Sequence, residues 1–287
     1  MYPNARKFKK YINLPEIEEI RKLILNKFNN RLTFIEETHQ YFLGKTEFQC
    51  VSHVVEQFSS INRDLMAENC AKKGETNPDY KYYGMTKEQI LKLWDENSKI
   101  ACDFGTDCHA FGESCFYWYV GDDDSILPEC KDKFDKNGPK PTNPHEEAIA
   151  KFWNDLPENI VPVLAETKVI NEKDYPYAGT FDILFYYVCE EDPSKNGLVI
   201  MDYKTNVDIR SQFARDRQEY MLYPFNDLYE ESLSHYYLQI GCYQLPMESL
   251  GLKVIARRLI WLKPDSTYEK IPTPYMVKRL KEALNIK

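Results

Sequence analysis

The chain lacks any apolar run approaching the roughly 18–20 residues of a membrane-spanning helix. Its opening residues, MYPNARKFKKYINL, lack the apolar core of a signal peptide. Both absences set the expectation of a cytoplasmic protein without a membrane partner, in which the eight cysteines are reduced thiols rather than disulfides. There is no internal repeat and no low-complexity tract. Positive charge is not in excess either: the formal net charge is −8. That balance argues against a protein that coats nucleic acid through a global field, so any such contact must come from local basic patches. Two familiar signatures also fail on a missing residue. Gly44-Lys45-Thr46 has His39 where a phosphate loop needs its earlier glycine, and it reads as a hairpin turn instead. Cys102, Cys108, His109 and Cys115 contain no CxxC pair. Cys108 and Cys115 lie two helical turns apart, too far to share one zinc ion on an unbroken helix.

What remains is ordinary globular material: 287 residues, 43% hydrophobic and 29% charged, with 21 tyrosines. That length supports one large or two small domains with a sizeable core. Residues 15–29 space Ile17, Ile20, Leu23, Ile24 and Phe28 as a helix with Pro15 in its first turn. A small strand pair turns at Gly44, and a helix starts near Ser52. Residues 60–85 are polar, hold Gly74, Pro78 and Gly84, and are expected as loop or short irregular helices. Thr86 and Gln89 form a capping box for a helix that either runs on or restarts near Thr106 and stops at Gly121. Residues 121–144 read as a polar loop, and Asn143-Pro144 opens a short helix through Trp153. A strand over 160–170 follows, then a hairpin, a charged helical segment over 208–222, a helix over 234–250 and a strand over 253–262. A basic helix ends the chain. Strands interleaved with helices predict a layered α/β fold with a mixed sheet.

The hairpin is the informative stretch. Phe181–Val188 and Leu198–Tyr203 flank an acidic turn with Asn196-Gly197, and each strand carries one aspartate among apolar neighbours. Antiparallel pairing sets the Asp182 end of one strand beside the Asp202 end of the other. Lys204, at i+2 from Asp202, shares its face. Two acids and a lysine at one end of a sheet are costly unless a positive partner joins them, and a divalent metal is the usual solution. Glu166 lies mid-strand in the preceding segment. His109 and Glu113 stand at i and i+4 on one helix face, as do Gln239 and Tyr243.

In order, these residues form Gly105-Thr106-x-x-His109 with Glu113, then Glu166, Gly179-x-x-Asp182, Asp202-Tyr203-Lys204-Thr205 and Gln239-x-x-x-Tyr243. The series resembles the PD-(D/E)XK nucleases, in particular the RecB-like exonuclease branch, over roughly residues 100–262. Phe181 stands where that family has its proline. His39-x-Tyr41 and Val51-Ser52 are similar to the mitochondrial and phage genome-maintenance members, which extends the cytoplasmic expectation to a phage protein in its host. The resemblance implies a restriction-endonuclease-like core at 101–265. It places a mostly helical N-terminal region with a small strand pair at 1–100 and a C-terminal helix at 266–287. It further implies magnesium-dependent hydrolysis of DNA phosphodiester bonds, with manganese as a substitute, in replication, recombination or repair. An exonuclease acting on a DNA end or single strand is expected first. An endonuclease of the same fold or a silent DNA-binding module stands behind it.

By the same resemblance His109, Asp182, Asp202, the Tyr203 carbonyl and Glu166, directly or through water, hold the metal, and Lys204 positions or helps to deprotonate the attacking water and offsets charge. Gln239, Tyr243, Thr205 and Thr106 contact nucleic acid or brace the motif loop, and Glu113 stands behind the ligands. The cysteine trio that carries an iron–sulfur cluster in some members has no counterpart after Cys242, so no cluster is expected. Each residue also has a plainer reading. The aspartates are strand-end acids paired with lysines, Glu166 is a partner of Lys168 or Lys173, and Gln239 and Tyr243 only pack their helix. Arg210, Arg215, Arg217, Arg257, Arg258, Lys263, Lys278, Arg279 and Lys281 are phosphate contacts or simply a solvated face.

Overall fold

The two hairpin strands sit at the centre of an eight-stranded mixed sheet. The computed structural model describes residues 2–35 and 38–287. In chain order the elements are α1 (Pro15–Lys27), β1 (Thr33–Ile35), β2 (Gln40–Leu43), β3 (Thr46–Cys50), α2 (Val51–Glu56), α3 (Arg63–Thr76) and α4 (Lys87–Val120). A short ribbon of β4 (Phe134–Asp135) and β5 (Gly138–Pro139) precedes α5 (Pro144–Asp155), β6 (Ile160–Asn171), β7 (Tyr177–Tyr187) and β8 (Gly197–Lys204). The chain closes with α6 (Gln212–Arg217), α7 (Ser232–Ser249), β9 (Val254–Leu262), β10 (Tyr268–Pro272) and α8 (Val277–Ala283).

The sheet runs β1-β2-β3-β7-β8-β9-β10, with β6 paired to β7. β6 follows β7 along its whole length, from Ile160↔Tyr187 to Asn171↔Tyr177. The other edge of β7 is shared. β3 takes Tyr177 and Ala178 in parallel, and β8 takes Ile183 to Tyr187 antiparallel. Between them the edge of residues 179–182 pairs with neither strand, so the sheet forks there. Parallel pairing of β8 with β9 continues to Lys204↔Trp261.

β8 is buried from Gly197 to Tyr203, as a strand covered on both faces must be. Its alternation sends Tyr203 toward α4 and α5, where its hydroxyl accepts from Trp153 Nε1 at 2.9 Å. Lys204 points the other way, to Gln239 on α7. Helices therefore cover both faces. One apolar core extends from Phe8 through Val54, Phe111, Trp153, Phe185 and Leu245 to Leu280. Among the described residues no helix is long and apolar enough to cross a membrane.

Local signals explain the agreements. Thr86 and Gln89 form the capping box of α4, and Asn143 caps α5 by accepting from the His145 and Glu146 N–H groups. The differences have physical causes. Residues 63–76 are a regular helix capped by Asn62. Its apolar side is small, with only Ala67 and Gly74 buried, so periodicity was a poor guide. α4 is unbroken through residue 100. The charged segment 208–222 is helical only over α6, which stops at Gln218 in a left-handed conformation with φ 53°. Among the described residues the N-terminal strands number three, and β3 joins them to the central sheet. The C-terminal segment contributes the edge strand β10 before its helix.

Candidate metal centre

Asp182 lies at the fork, on the stretch of β7 that neither β3 nor β8 pairs. Its Oδ2 accepts the Tyr203 backbone N–H at 2.6 Å, which ties the diverging end of β8 back to β7. Its Oδ1 stands 3.4 Å from His109 Nδ1. Glu166 on β6 falls between the register pairs Ala165↔Ile183 and Thr167↔Phe181, directly across from Asp182. Its Oε1 is also 3.4 Å from His109 Nδ1. Candidate ligand atoms of these three residues all lie within 4.8 Å of one another.

Glu166 has φ 40°, a left-handed conformation that costs a non-glycine residue of the order of 1–3 kcal/mol. The strain falls at the residue whose carboxylate completes the cluster. His109 reaches it because α4 lies close on the sheet: a Cβ on Gly112, one turn further along the helix, would meet Tyr203 Cε2 at 2.5 Å.

Asp202 stands outside that triad. Its side chain is 1% exposed, and Lys204 Nζ lies 2.6 Å from its Oδ2. The contact is an ion pair without hydrogen-bond geometry, and neither carboxylate oxygen accepts a hydrogen bond among the described residues. A buried carboxylate left so poorly satisfied is the environment that a cation relieves. Lys204 donates to Gln239 Oε1 at 3.1 Å and sits 4.1 Å from the Tyr236 ring centroid. Gln239 Nε2 in turn donates to the Tyr243 hydroxyl at 2.8 Å.

The charges are strongly coupled. Burial, reinforced by Asp182, pushes Glu166 up to about 7 against the pull of His109. Burial and repulsion from Asp182 push Asp202 up to about 6, with Lys204 opposing. Burial alone would raise Asp182, but His109, Lys204 and the Tyr203 N–H hold it below its ordinary value. Burial alone would lower His109 and Lys204. Asp182 and Glu166 carry the imidazole well above its usual range, and Asp202, Tyr236 and Asp182 raise the lysine. The site is a set of acids held apart by two cations, the balance that a divalent ion would take over. Two carboxylates, one imidazole and a nearby backbone carbonyl suit magnesium or manganese. A residue's N–H and C=O leave an extended strand on the same side, so the Tyr203 carbonyl faces the fork as its N–H does.

These groups open onto a cavity of about 700 Å³. His109, Glu166, Asp182, Lys204, Thr106, Glu113, Gln239 and Tyr243 all line it. Glu113 accepts from the Tyr117 hydroxyl at 3.0 Å, and burial raises its pKa. The Thr106 hydroxyl donates to the Cys102 carbonyl within its own helix. Thr205 lies beside Gly105, its Oγ1 3.7 Å from where a Cβ there would stand. Asp202 and the Tyr203 ring lie behind the wall.

Sequence reasoning passed over Thr180 and Phe34 and gave Lys168 only as a partner of Glu166; all three line the cavity. The signal was strand alternation, since Lys168 is two residues from Glu166 and Thr180 two from Asp182. Among the described residues Lys168 forms no ion pair with Glu166, which pairs with His109 instead. Five of the nine basic residues expected at phosphates pair within the chain: Arg215 with Glu231, Arg279 with Asp227, Arg217 with Glu219, and both Lys263 and Arg210 with Glu269. Tyr80 and Tyr82 pack edge to face, and Tyr82 accepts from Trp94 Nε1, in a small cluster of their own.

No family model matches the chain, and no curated protein matches it. Among solved structures, one from Eubacterium rectale described as a "Putative exonuclease" overlaps 78% of this chain and 79% of its own, at 16% identity and a TM-score of 0.37.

Proposed function

We propose that the protein is a metal-dependent deoxyribonuclease of the PD-(D/E)XK type, and that it degrades DNA from an end. The observation that carries the reading is the convergence of His109, Glu166 and Asp182 at the fork of the sheet, with Lys204 on the same cavity. Magnesium or manganese would be held by these three residues, with Asp202 and the Tyr203 carbonyl alongside. When bound, such an ion acidifies water and neutralises charge on a phosphoryl oxygen.

The remaining work falls to the chain itself. Asp202 keeps Lys204 protonated at neutral pH, so the lysine serves as a fixed positive charge and hydrogen-bond donor beside the scissile phosphate rather than as a base. Gln239 takes one of its three N–H groups and so aims the other two. Asp182 is held ionised by His109, Lys204 and the Tyr203 N–H, ready to take a cation without first losing a proton.

The test is cleavage of end-labelled DNA in magnesium by the native chain, Asp182→Ala and Lys204→Ala. Activity in the native chain and its loss in both variants is expected; equal activity in all three would overturn the proposal. Covalently closed circular DNA should survive, and its degradation would make the enzyme an endonuclease of the same fold.

A further inference from the structure

The cavity continues past the metal ligands to a wall that none of the roles above uses. Lys168 and Thr180 face one another in register, one alternation step along β6 and β7 from Glu166 and Asp182. Both pairs therefore present their side chains on the same face, about 7 Å apart. The Tyr41 hydroxyl meets Thr180 Oγ1 at 3.0 Å, and either can be the donor. One hydroxyl hydrogen of the pair is thus left for another acceptor. The Phe34 ring lies 4.6 Å from Tyr41 and meets His39 edge-on at 5.2 Å, so two neighbours fix its orientation at the cavity wall. Asn29 anchors the Lys168 backbone N–H at 3.2 Å. Lys168 is only partly exposed, and among the described residues no carboxylate pairs with it. A sheltered ammonium that forms no ion pair among the described residues favours an anion arriving from solution.

We propose that Lys168, Thr180 and Phe34 form a subsite for the nucleotide next to the cleavage position. Lys168 and the hydroxyl pair take the phosphate adjoining the one that is cut, and the Phe34 ring supports the base between them. This rests on the nuclease reading. A lysine reads a phosphate as a point charge, and an aromatic face accepts any base. The subsite therefore requires a charged backbone and tolerates any sequence.

The experiment is a binding scan by fluorescence anisotropy in EDTA. It uses single-stranded oligodeoxynucleotides that carry one neutral methylphosphonate, moved along the linkages from the end. With the native protein one linkage should stand out, weakening binding by about tenfold when neutral, or 1.4 kcal/mol. Lys168→Met should weaken the fully charged strand by a similar factor and reduce the salt slope by about 0.7. It should also become indifferent to that linkage, the coupling expected of direct partners. Lys168→Arg should keep the native profile. A Lys168→Met scan that matches the native one overturns the subsite, and so does a native scan in which no linkage stands out, which needs no variant at all. Native protein that binds no oligonucleotide overturns subsite and nuclease together. Binding through Lys168 without cleavage in magnesium supports the subsite while removing the nuclease.

Discussion

The Tyr203 backbone N–H donates to Asp182 Oδ2 at 2.6 Å across the stretch of residues 179–182, where among the described residues β7 has β6 on one edge and no strand on the other. One carboxylate thus closes the fork with Oδ2 and meets His109 with Oδ1. Its structural and chemical roles separate by substitution. Asp182→Asn keeps an acceptor for Tyr203, so its urea midpoint should fall less than that of Asp182→Ala. Activity should fall at least about 10²-fold, because the metal site loses a charge worth several kcal/mol. Asp182→Ala also leaves the Tyr203 N–H buried and unpaired, a further cost of about 1–3 kcal/mol. Equal stability of the two variants would show that the hydrogen bond does not hold the fork.

Glu166 combines φ 40° with a carboxylate that burial drives toward neutrality. Both features oppose folding, and both serve the site. Glu166→Gly, free to adopt that backbone conformation, should raise stability by about 1 kcal/mol while abolishing cleavage. Urea denaturation beside a DNA cleavage assay measures the pair. A destabilised glycine variant would mean that the carboxylate contributes more through its His109 contact than the strain costs.

Much of this was legible because it is local. The apolar runs of β6 to β9, the Thr86–Gln89 box and the Asn143-Pro144 start each carry their signal within a few residues. The residue types at 166, 182, 202 and 204 announce polar chemistry inside apolar strands, and His109 adds an imidazole from α4. α3 and β10 escaped because their buried faces are too narrow to set a period. At the site, what escaped depends on contacts distant in sequence. The fork exists because Gln49 and Cys50 pair with Tyr177 and Ala178, and that pairing also brings the Phe34–Tyr41 wall beside Lys168. Gly179 was visible as a motif position, but its reason is packing: a Cβ there would meet Val51 Cγ2 at 2.7 Å and Tyr243 Cε1 at 2.9 Å.

The acids at the fork give stability a specific pH dependence. Asp202, pushed to about 6, and Glu166, pushed to about 7, bind protons in the folded chain that ordinary carboxyls near pH 4 have already lost when unfolded. They cost the fold nothing extra below that lower value, where both states are protonated, and progressively more as pH rises toward 7. His109, raised as well, adds a loss at higher pH. Asp182, held low, acts in the opposite sense only below about pH 4. In EDTA the urea midpoint should therefore be higher near pH 5.5 than near pH 8, and Glu166→Gln should flatten the difference. Magnesium favours the ionised ligands, so the stabilisation it adds should grow with pH. A midpoint that does not change with pH in EDTA would contradict the coupled charges described here.

Lys204, Gln239 and Tyr243 form a relay of orientation. The Tyr243 hydroxyl accepts from Gln239 Nε2, which turns the amide oxygen toward Lys204 Nζ. In Gln239→Leu the ammonium keeps Asp202 and the Tyr236 ring, so the charge stays while its aim loosens. The expected result is a fall in kcat of roughly 10–100-fold, the range for lost outer-shell partners, with KM nearly unchanged. Tyr243→Phe, which only frees the amide to turn over, should cost less. If Gln239 merely packs α7 against the sheet, Gln239→Leu will shift the urea midpoint and leave kcat alone. The double variant with Lys204→Ala decides between them. An aiming role predicts that Gln239→Leu does nothing further once the lysine is gone, whereas a packing role predicts the same added loss of stability in either background.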